Sequence, residues 1–204
     1  MTKTYQIIYA DPPWTFETYS EKGKGRSAEK HYPCMSIEAI CELPVPSITA
    51  IDCALFMWTT SPHLERSFEV IRKWGFKYKT MAFVWVKGHL TEASPGEMIE
   101  ELYTVPPSVN IHYVKWHWGT GYWTRANAEY CLLATKGHPK RVSASVQQVV
   151  FEQVGEHSKK PDEVRNRIVE LMGDIPRIEL FARSKAEGWD SWGNEVSNDI
   201  ELGV

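Results

Sequence analysis

Asp11, Pro12, Pro13 and Trp14 follow one another without a break, and each residue type has a use in a chemical site. Two prolines fix the backbone and remove two N–H donors that would otherwise compete for the acceptors, which keeps the carbonyl of Pro12 where it is needed. With the carboxylate of Asp11 it can accept both hydrogens of a primary amine. An aryl amine is a poor nucleophile because its lone pair is delocalised into the ring. Two acceptors draw that nitrogen toward tetrahedral geometry and stabilise the positive charge that grows on it during alkylation. Trp14 offers an aromatic face on which a base turned out of its helix can stack. The pattern points to transfer of a methyl group from an activated sulfonium to a base amine, where positioning for in-line attack does most of the work. A proline turn closed by tryptophan is the alternative. Such a tetrapeptide arises by chance in a chain of this size on the order of one time in a thousand.

Residues of this kind need a rigid edge to stand on. Tyr5–Ala10 is a short apolar, β-branched run stopped by Asp-Pro-Pro, which predicts a buried strand with the motif at its C-terminal end. In open α/β sheets ligands bind at that end, where the connections diverge. A second strand is predicted over 54–59. Ser61 and Pro62 read as cap and first residue of a helix reaching Trp74, with Leu64, Phe68, Ile71 and Trp74 facing the sheet and Gly75 as its left-handed stop. A strand over 79–86 completes a β-α-β unit. Further strands are predicted over 129–135, 142–151 and 177–182. Pro161 opens a helix in which Val164, Ile168, Leu171 and Met172 share a face and which Gly173 ends. The stretch 88–124 is polar, broken by prolines and without a sustained period, which marks a long loop or a small target-facing insertion. With no repeat or linker, residues 1–204 read as a single α/β domain.

Composition narrows the classes. The 204 residues, 43% hydrophobic and 12% aromatic, suit one domain with a substantial core. No stretch approaches the roughly 20 apolar residues of a membrane span, and the N-terminal Met-Thr-Lys-Thr-Tyr lacks the core of a signal peptide, so a soluble cytoplasmic protein is expected. Cys34, Cys41, Cys53 and Cys131 show no paired spacing, and His112 and His117 read as ordinary polar side chains. Neither a metal site nor a disulfide is predicted. The formal net charge of -3 argues against holding nucleic acid by bulk electrostatics. Three basic runs remain: Lys22, Lys24, Arg26 and Lys30; Arg72, Lys73, Lys77 and Lys79; and Lys136, Lys140 and Arg141. Each also reads as solvated surface.

Several blocks in order resemble the adenine-N(6) methyltransferase family named for the 70 kDa subunit of the eukaryotic mRNA methyltransferase, which has bacterial and phage members. They are Ala10 to Trp14, Lys30-His31-Tyr32-Pro33, Gly119-Thr120-Gly121-Tyr122-Trp123-Thr124-Arg125, and Glu129-Tyr130-Cys131-Leu132-Leu133 continuing to Lys136-Gly137. His157-Ser158-Lys159-Lys160-Pro161-Asp162-Glu163, Glu179-Leu180-Phe181-Ala182-Arg183 and Gly188-Trp189-Asp190-Ser191-Trp192-Gly193-Asn194-Glu195 complete the set. The resemblance implies a Rossmann-like methyltransferase sheet with helices on both faces, circularly permuted so that the catalytic motif precedes the cofactor-binding strand. It implies S-adenosylmethionine as cofactor, with contacts on Asp11, Lys160, Arg183, Asn194 and Glu195 and with Glu179 close by. Lys160 also reads as a solvated residue at a helix start, Glu179 as a solvent-facing residue of an edge strand, and Trp189 and Trp192 as packing residues.

The expected reaction is methylation of the 6-amino group of adenine in DNA. Trp14, Arg26, Lys30, His31, Tyr32, Trp123 and Arg125 are the candidate contacts to the nucleic acid, since aromatic and basic residues alternate there. The chain begins only ten residues before Asp11, so part of the cofactor pocket is expected to be built differently from that of larger relatives. No zinc-finger pair or other separate RNA-binding module is apparent, which tilts the substrate toward DNA. The same reaction on RNA, and a catalytically silent nucleic-acid-binding partner of an active methyltransferase, remain open alternatives. A net charge of -3 leaves room for a homodimer or a basic partner subunit.

Overall fold

The structure, a computed structural model, describes residues 3–15, 34–93, 98–99, 103–104, 112–119, 121, 123–155 and 159–203. Strand β1 (Tyr5–Ala10) is followed by helix α1 (Ile37–Glu42), β2 (Thr49–Thr59), α2 (Leu64–Lys73) and β3 (Lys77–Glu92). Two short strands, β4 (Met98–Ile99) and β5 (Tyr103–Thr104), pair with each other. Then come β6 (His112–Trp116), β7 (Ala128–Lys136), β8 (Val149–Glu152), α3 (Asp162–Met172), β9 (Arg177–Leu180) and β10 (Asp190–Trp192). The main sheet runs β10-β9-β1-β2-β7-β3-β6, with β8 beside β3. Neighbours from β10 to β2 are parallel, and β7 is antiparallel to both β2 and β3.

Alternation along the central strands builds two apolar layers. Ile8, Ala10, Leu55 and Met57 pack with Ile40 of α1 and with Val70, Ile71 and Trp74 of the α2 region. Ile7, Tyr9, Ala54, Phe56 and Trp58 pack with Val164, Ile168 and Met172 of α3. Helices therefore cover both faces of a mixed sheet. Gly75 and Gly173 close α2 and α3 at φ 79° and 89°, a backbone region that favours glycine.

Several boundaries differ from expectation. The segment 61–63 forms a 3₁₀ turn ahead of α2, so Ser61 lies inside the lead-in turn and does not cap the helix. The buried stripe of α2 is Ser67, Val70 and Ile71, with Leu64 and Phe68 only partly covered. Ser67 is tolerated there because its hydroxyl bonds Thr59 and the His63 carbonyl. The predicted strand over 142–151 shrinks to Val149–Glu152. Its earlier backbone is committed elsewhere, with the N–H groups of Val142 and Ser143 donating to Leu171 and that of Ser145 to the Ser143 hydroxyl. Within 88–124, β3 continues to Glu92 and pairs with β6, so part of the stretch is an antiparallel ladder. Its polar sequence hid that pairing, because strands exposed to water on their faces need no apolar alternation. β9 stops at Leu180, since Phe181 turns to φ 62°.

Candidate active site

Because β1, β9 and β10 are parallel, their C-terminal ends lie side by side, with Ala10 beside Leu180 and Leu180 beside Trp192. Asp11, Arg183, Asn194 and Glu195 follow those ends and gather at one edge of the sheet. β7 runs the other way, which brings its early residue Glu129 to the same edge, opposite Trp85 of β3. The chain leaves β1 toward β2 on one side and returns as β9 on the other. That reversal opens the crevice in which α/β sheets hold ligands.

A chain of buried charges lies in this crevice. The Lys160 ammonium, just before α3, donates to Asp11 Oδ2 at 2.7 Å and pairs with Glu129 Oε2 at 3.2 Å. Lys87 donates to the other Glu129 oxygen. Lys160 and Glu129 side chains are only 13% and 11% exposed, so Lys160 is a buried bridge and not a solvated residue. The floor is aromatic, with Lys160 5.8 Å from the Trp58 ring centre and Lys87 4.7 Å from that of Trp85. Trp58 donates its indole N–H to the Tyr9 hydroxyl at 2.6 Å. Burial pushes the Asp11 carboxyl above its ordinary value against the pull of Lys160. Burial also acts upward on Glu129, but Lys160 and Lys87 outweigh it and hold that carboxyl low. Lys160 is stripped of water yet stays firmly protonated because Asp11 and Glu129 face it. Glu129 and Lys87 are additions to the residues anticipated from sequence. The visible signal was a carboxylate opening an otherwise apolar strand.

The motif itself is held at several points. The Trp14 N–H donates to the Pro12 carbonyl at 2.9 Å, leaving that oxygen one lone pair for a ligand, and the Pro13 carbonyl accepts from Met35 N–H at 2.9 Å. Trp14 is 4% exposed, donates its indole N–H to the Trp58 carbonyl at 3.2 Å and stacks on His63 with ring centres 5.5 Å apart. It is an anchor for the loop, with one face already covered, and not the open stacking platform expected from sequence. His63 completes the anchor. Its Nε2 lies 3.0 Å from the Thr15 carbonyl, which can only accept, so Nε2 carries the proton and Nδ1 accepts from the Thr60 hydroxyl at 2.9 Å. Burial keeps this imidazole below its ordinary pKa.

The other anticipated residues divide. Glu179 is buried on β9, an interior strand flanked by β1 and β10, and its carboxylate takes two bonds from Arg165 at 2.6 and 2.9 Å. Arg183 pairs with Glu195 at 3.6 Å, both partly exposed, and Asn194 is exposed beside them. A Cβ on Gly193 would fall 2.2 Å from the Ala182 carbonyl oxygen, so glycine lets the turns after β9 and β10 cross. Trp189 is a packing residue tilted against Tyr9 at 5.8 Å, and Trp192 meets Phe181 at 5.6 Å. Trp123 and Arg125 are exposed on the approach to β7, outside the charge chain. Arg26, Lys30, His31 and Tyr32 lie outside the described residues.

Comparison with known proteins shows which family the chain belongs to. The family model described as MT-A70 matches residues 5–104 and 108–195. The chain is 35% identical to the Type II methyltransferase M.MunI of Mycoplasma sp, over 98% of this chain and 82% of that protein. It is 27% identical to the N(6)-adenosine-methyltransferase MT-A70-like protein of Arabidopsis thaliana, over 98% of this chain and 24% of that one. With the human N(6)-adenosine-methyltransferase catalytic subunit METTL3 it shares 24% identity over 94% of this chain and 28% of that one. The chain thus spans most of the bacterial relative and about a quarter of the eukaryotic ones, and it belongs to the MT-A70 family of methyltransferases.

Proposed function

We infer that this methyltransferase acts on the exocyclic 6-amino group of adenine in DNA, with S-adenosylmethionine as donor. The observation that carries the reading is Asp11 and the Pro12 carbonyl, adjacent acceptors at the end of β1, backed by Lys160 and Glu129. The Asp11 carboxylate accepts one amine hydrogen and the Pro12 oxygen the other. Together they localise the lone pair and stabilise the charge that develops on nitrogen. Asp11 then takes the proton that the methylated nitrogen sheds, and its raised pKa suits it to do so. Lys160 keeps Asp11 oriented, and Glu129 with Lys87 balances the lysine.

The polar groups beyond the crossing of Gly193 and Ala182 fit the donor's chemistry. Arg183 would meet its carboxylate or hydroxyls, while Asn194 and Glu195 would hydrogen-bond ribose and adenine, with Glu179 behind them. When bound, S-adenosylmethionine supplies a methyl group on an activated sulfonium. In this reading the cofactor strand is β9, C-terminal to the catalytic motif, so the sheet is circularly permuted. Higher identity and coverage with the Type II enzyme than with the N(6)-adenosine enzymes favours DNA over RNA.

Labelled S-adenosylmethionine incubated with matched single- and double-stranded DNA and with RNA tests the reading. N(6)-methyladenine in the DNA digest supports it. No transfer to any DNA removes it, and transfer confined to RNA replaces the substrate.

A further inference from the structure

Two large aromatic side chains stand in water at the rim of the crevice with no part in the chemistry above. Trp118 is 74% exposed and Trp123 fully so, an unusual position for tryptophan in a folded domain. Both ride on the connection between β6 and β7, which is fastened at its two ends to one residue. The His117 N–H donates to the Lys87 carbonyl at 3.0 Å, and the Lys87 N–H donates to the Asn127 carbonyl at 2.8 Å. Lys87 is also the partner of Glu129, so the rim is tied directly to the charge chain that ends on Asp11. Between the ties the turn closes tightly. Gly119 N–H bonds the Ala126 carbonyl at 3.1 Å, and Cβ atoms on Gly119 and Gly121 would each lie 2.3 Å from a backbone oxygen. Trp123 is held at φ 64°, a left-handed conformation that bulky residues avoid and that collects at functional sites. Exposed basic residues alternate with the rings in sequence, Lys115 before Trp116 and Trp118, and Arg125 beyond Trp123.

We propose that Trp118 and Trp123 form a stacking platform for the unpaired bases flanking the target adenine, with Lys115 and Arg125 meeting the phosphates between them. The proposal rests on the nucleic-acid reading above and adds how the strand is held. Stacking suits a chain of net charge -3, because each base presents a π face whatever its sequence, and the grip then needs few phosphate contacts. A protein partner would be expected to favour an uncharged apolar centre, whereas here exposed Lys115 and Arg125 lie within three residues of the rings in sequence.

The test measures equilibrium binding of a fluorescent single-stranded oligodeoxynucleotide carrying one adenine, together with methyl transfer to it. Trp118→Ala and Trp123→Ala should each weaken binding about tenfold, and phenylalanine at either position should restore most of it. An oligonucleotide with abasic flanks keeps the phosphates and loses the stacking. The wild type should bind it as weakly as a Trp118→Ala/Trp123→Ala double variant binds the intact oligonucleotide, and that double variant should not weaken further on the abasic one. Equal binding by wild type and variants overturns the platform while leaving methyl transfer intact. Variants that shift the sedimentation of the protein and leave binding alone show that a second copy covers the tryptophans, which also overturns it. If the wild type binds in a tryptophan-dependent way but methylates nothing, the platform stands and the enzymatic reading falls.

Discussion

Asp11 carries opposing demands, and their balance sets two measurable signs. Its carboxyl is pushed above the ordinary 3.8 by burial and pulled back by Lys160. A protonated Asp11 is a weaker acceptor and cannot take the proton that the methylated nitrogen sheds, so methyl transfer should fall as pH drops through a value above the ordinary aspartate pKa. Lys160→Met removes the downward pull, and the acid limb of kcat/KM should move to higher pH; a limb that stays or moves down contradicts the assignment of Asp11. The same shift has a consequence for stability. A raised folded pKa means that the native state holds the proton more tightly than the unfolded chain does. Asp11 therefore contributes most below its unfolded pKa, and that contribution is lost as pH rises through the folded one. Asp11→Asn should therefore lower turnover by about a thousandfold or more while leaving Tm at neutral pH equal to or above that of the wild type. A fall of several degrees would mean that the ionised carboxylate is structural.

At the level of elements, the motif depends on how β1, β2 and α2 meet. His63, in the turn between β2 and α2, stacks on Trp14 and bonds the Thr15 carbonyl, so it clamps the loop that leaves β1. His63→Ala removes two partly buried hydrogen bonds and one ring contact and should cost about 2 kcal/mol of stability, read by urea unfolding. KM for adenine-containing DNA should rise as well, because Pro12 is no longer held; unchanged values for both would leave the clamp without a role. None of this clamp was legible in the sequence, where His63 is one histidine among seven. β1 was legible because six residues and an Asp-Pro-Pro stop carry their own signal, and the helix ends at Gly75 and Gly173 because a left-handed stop has few substitutes. The 142–151 strand was misread, since hydrogen bonds to Leu171 from the far side of the fold take up backbone that local pattern assigns to a ladder. Lys87 and Glu129 were not singled out because they lie 42 positions apart and meet only through the pairing of β3 with β7.

Considered whole, the molecule gathers at one sheet edge groups drawn from nearly its full length, from Asp11 to Glu195, while its net charge stays at -3. Within the crevice the charges largely cancel, with Asp11 and Glu129 facing Lys160 and Lys87, and Glu179 facing Arg165. Little unbalanced positive charge is left there to attract a phosphate backbone. Among the described residues beside it, Lys115 and Arg125 are exposed cations. An enzyme that gripped DNA through an extended basic face would neutralise many phosphates and lose affinity steeply with salt. Here about two or three contacts are expected, so the logarithm of the DNA affinity should fall against the logarithm of salt concentration with a slope of about -2 to -3. Lys115→Ala and Arg125→Ala should each make that slope shallower by about one, whereas the tryptophan variants should lower affinity at every salt concentration and leave the slope alone. A wild-type slope several times steeper would place the main grip on a basic surface elsewhere, such as the run around Arg72 and Lys73, and charge reversal there would then be the decisive substitution.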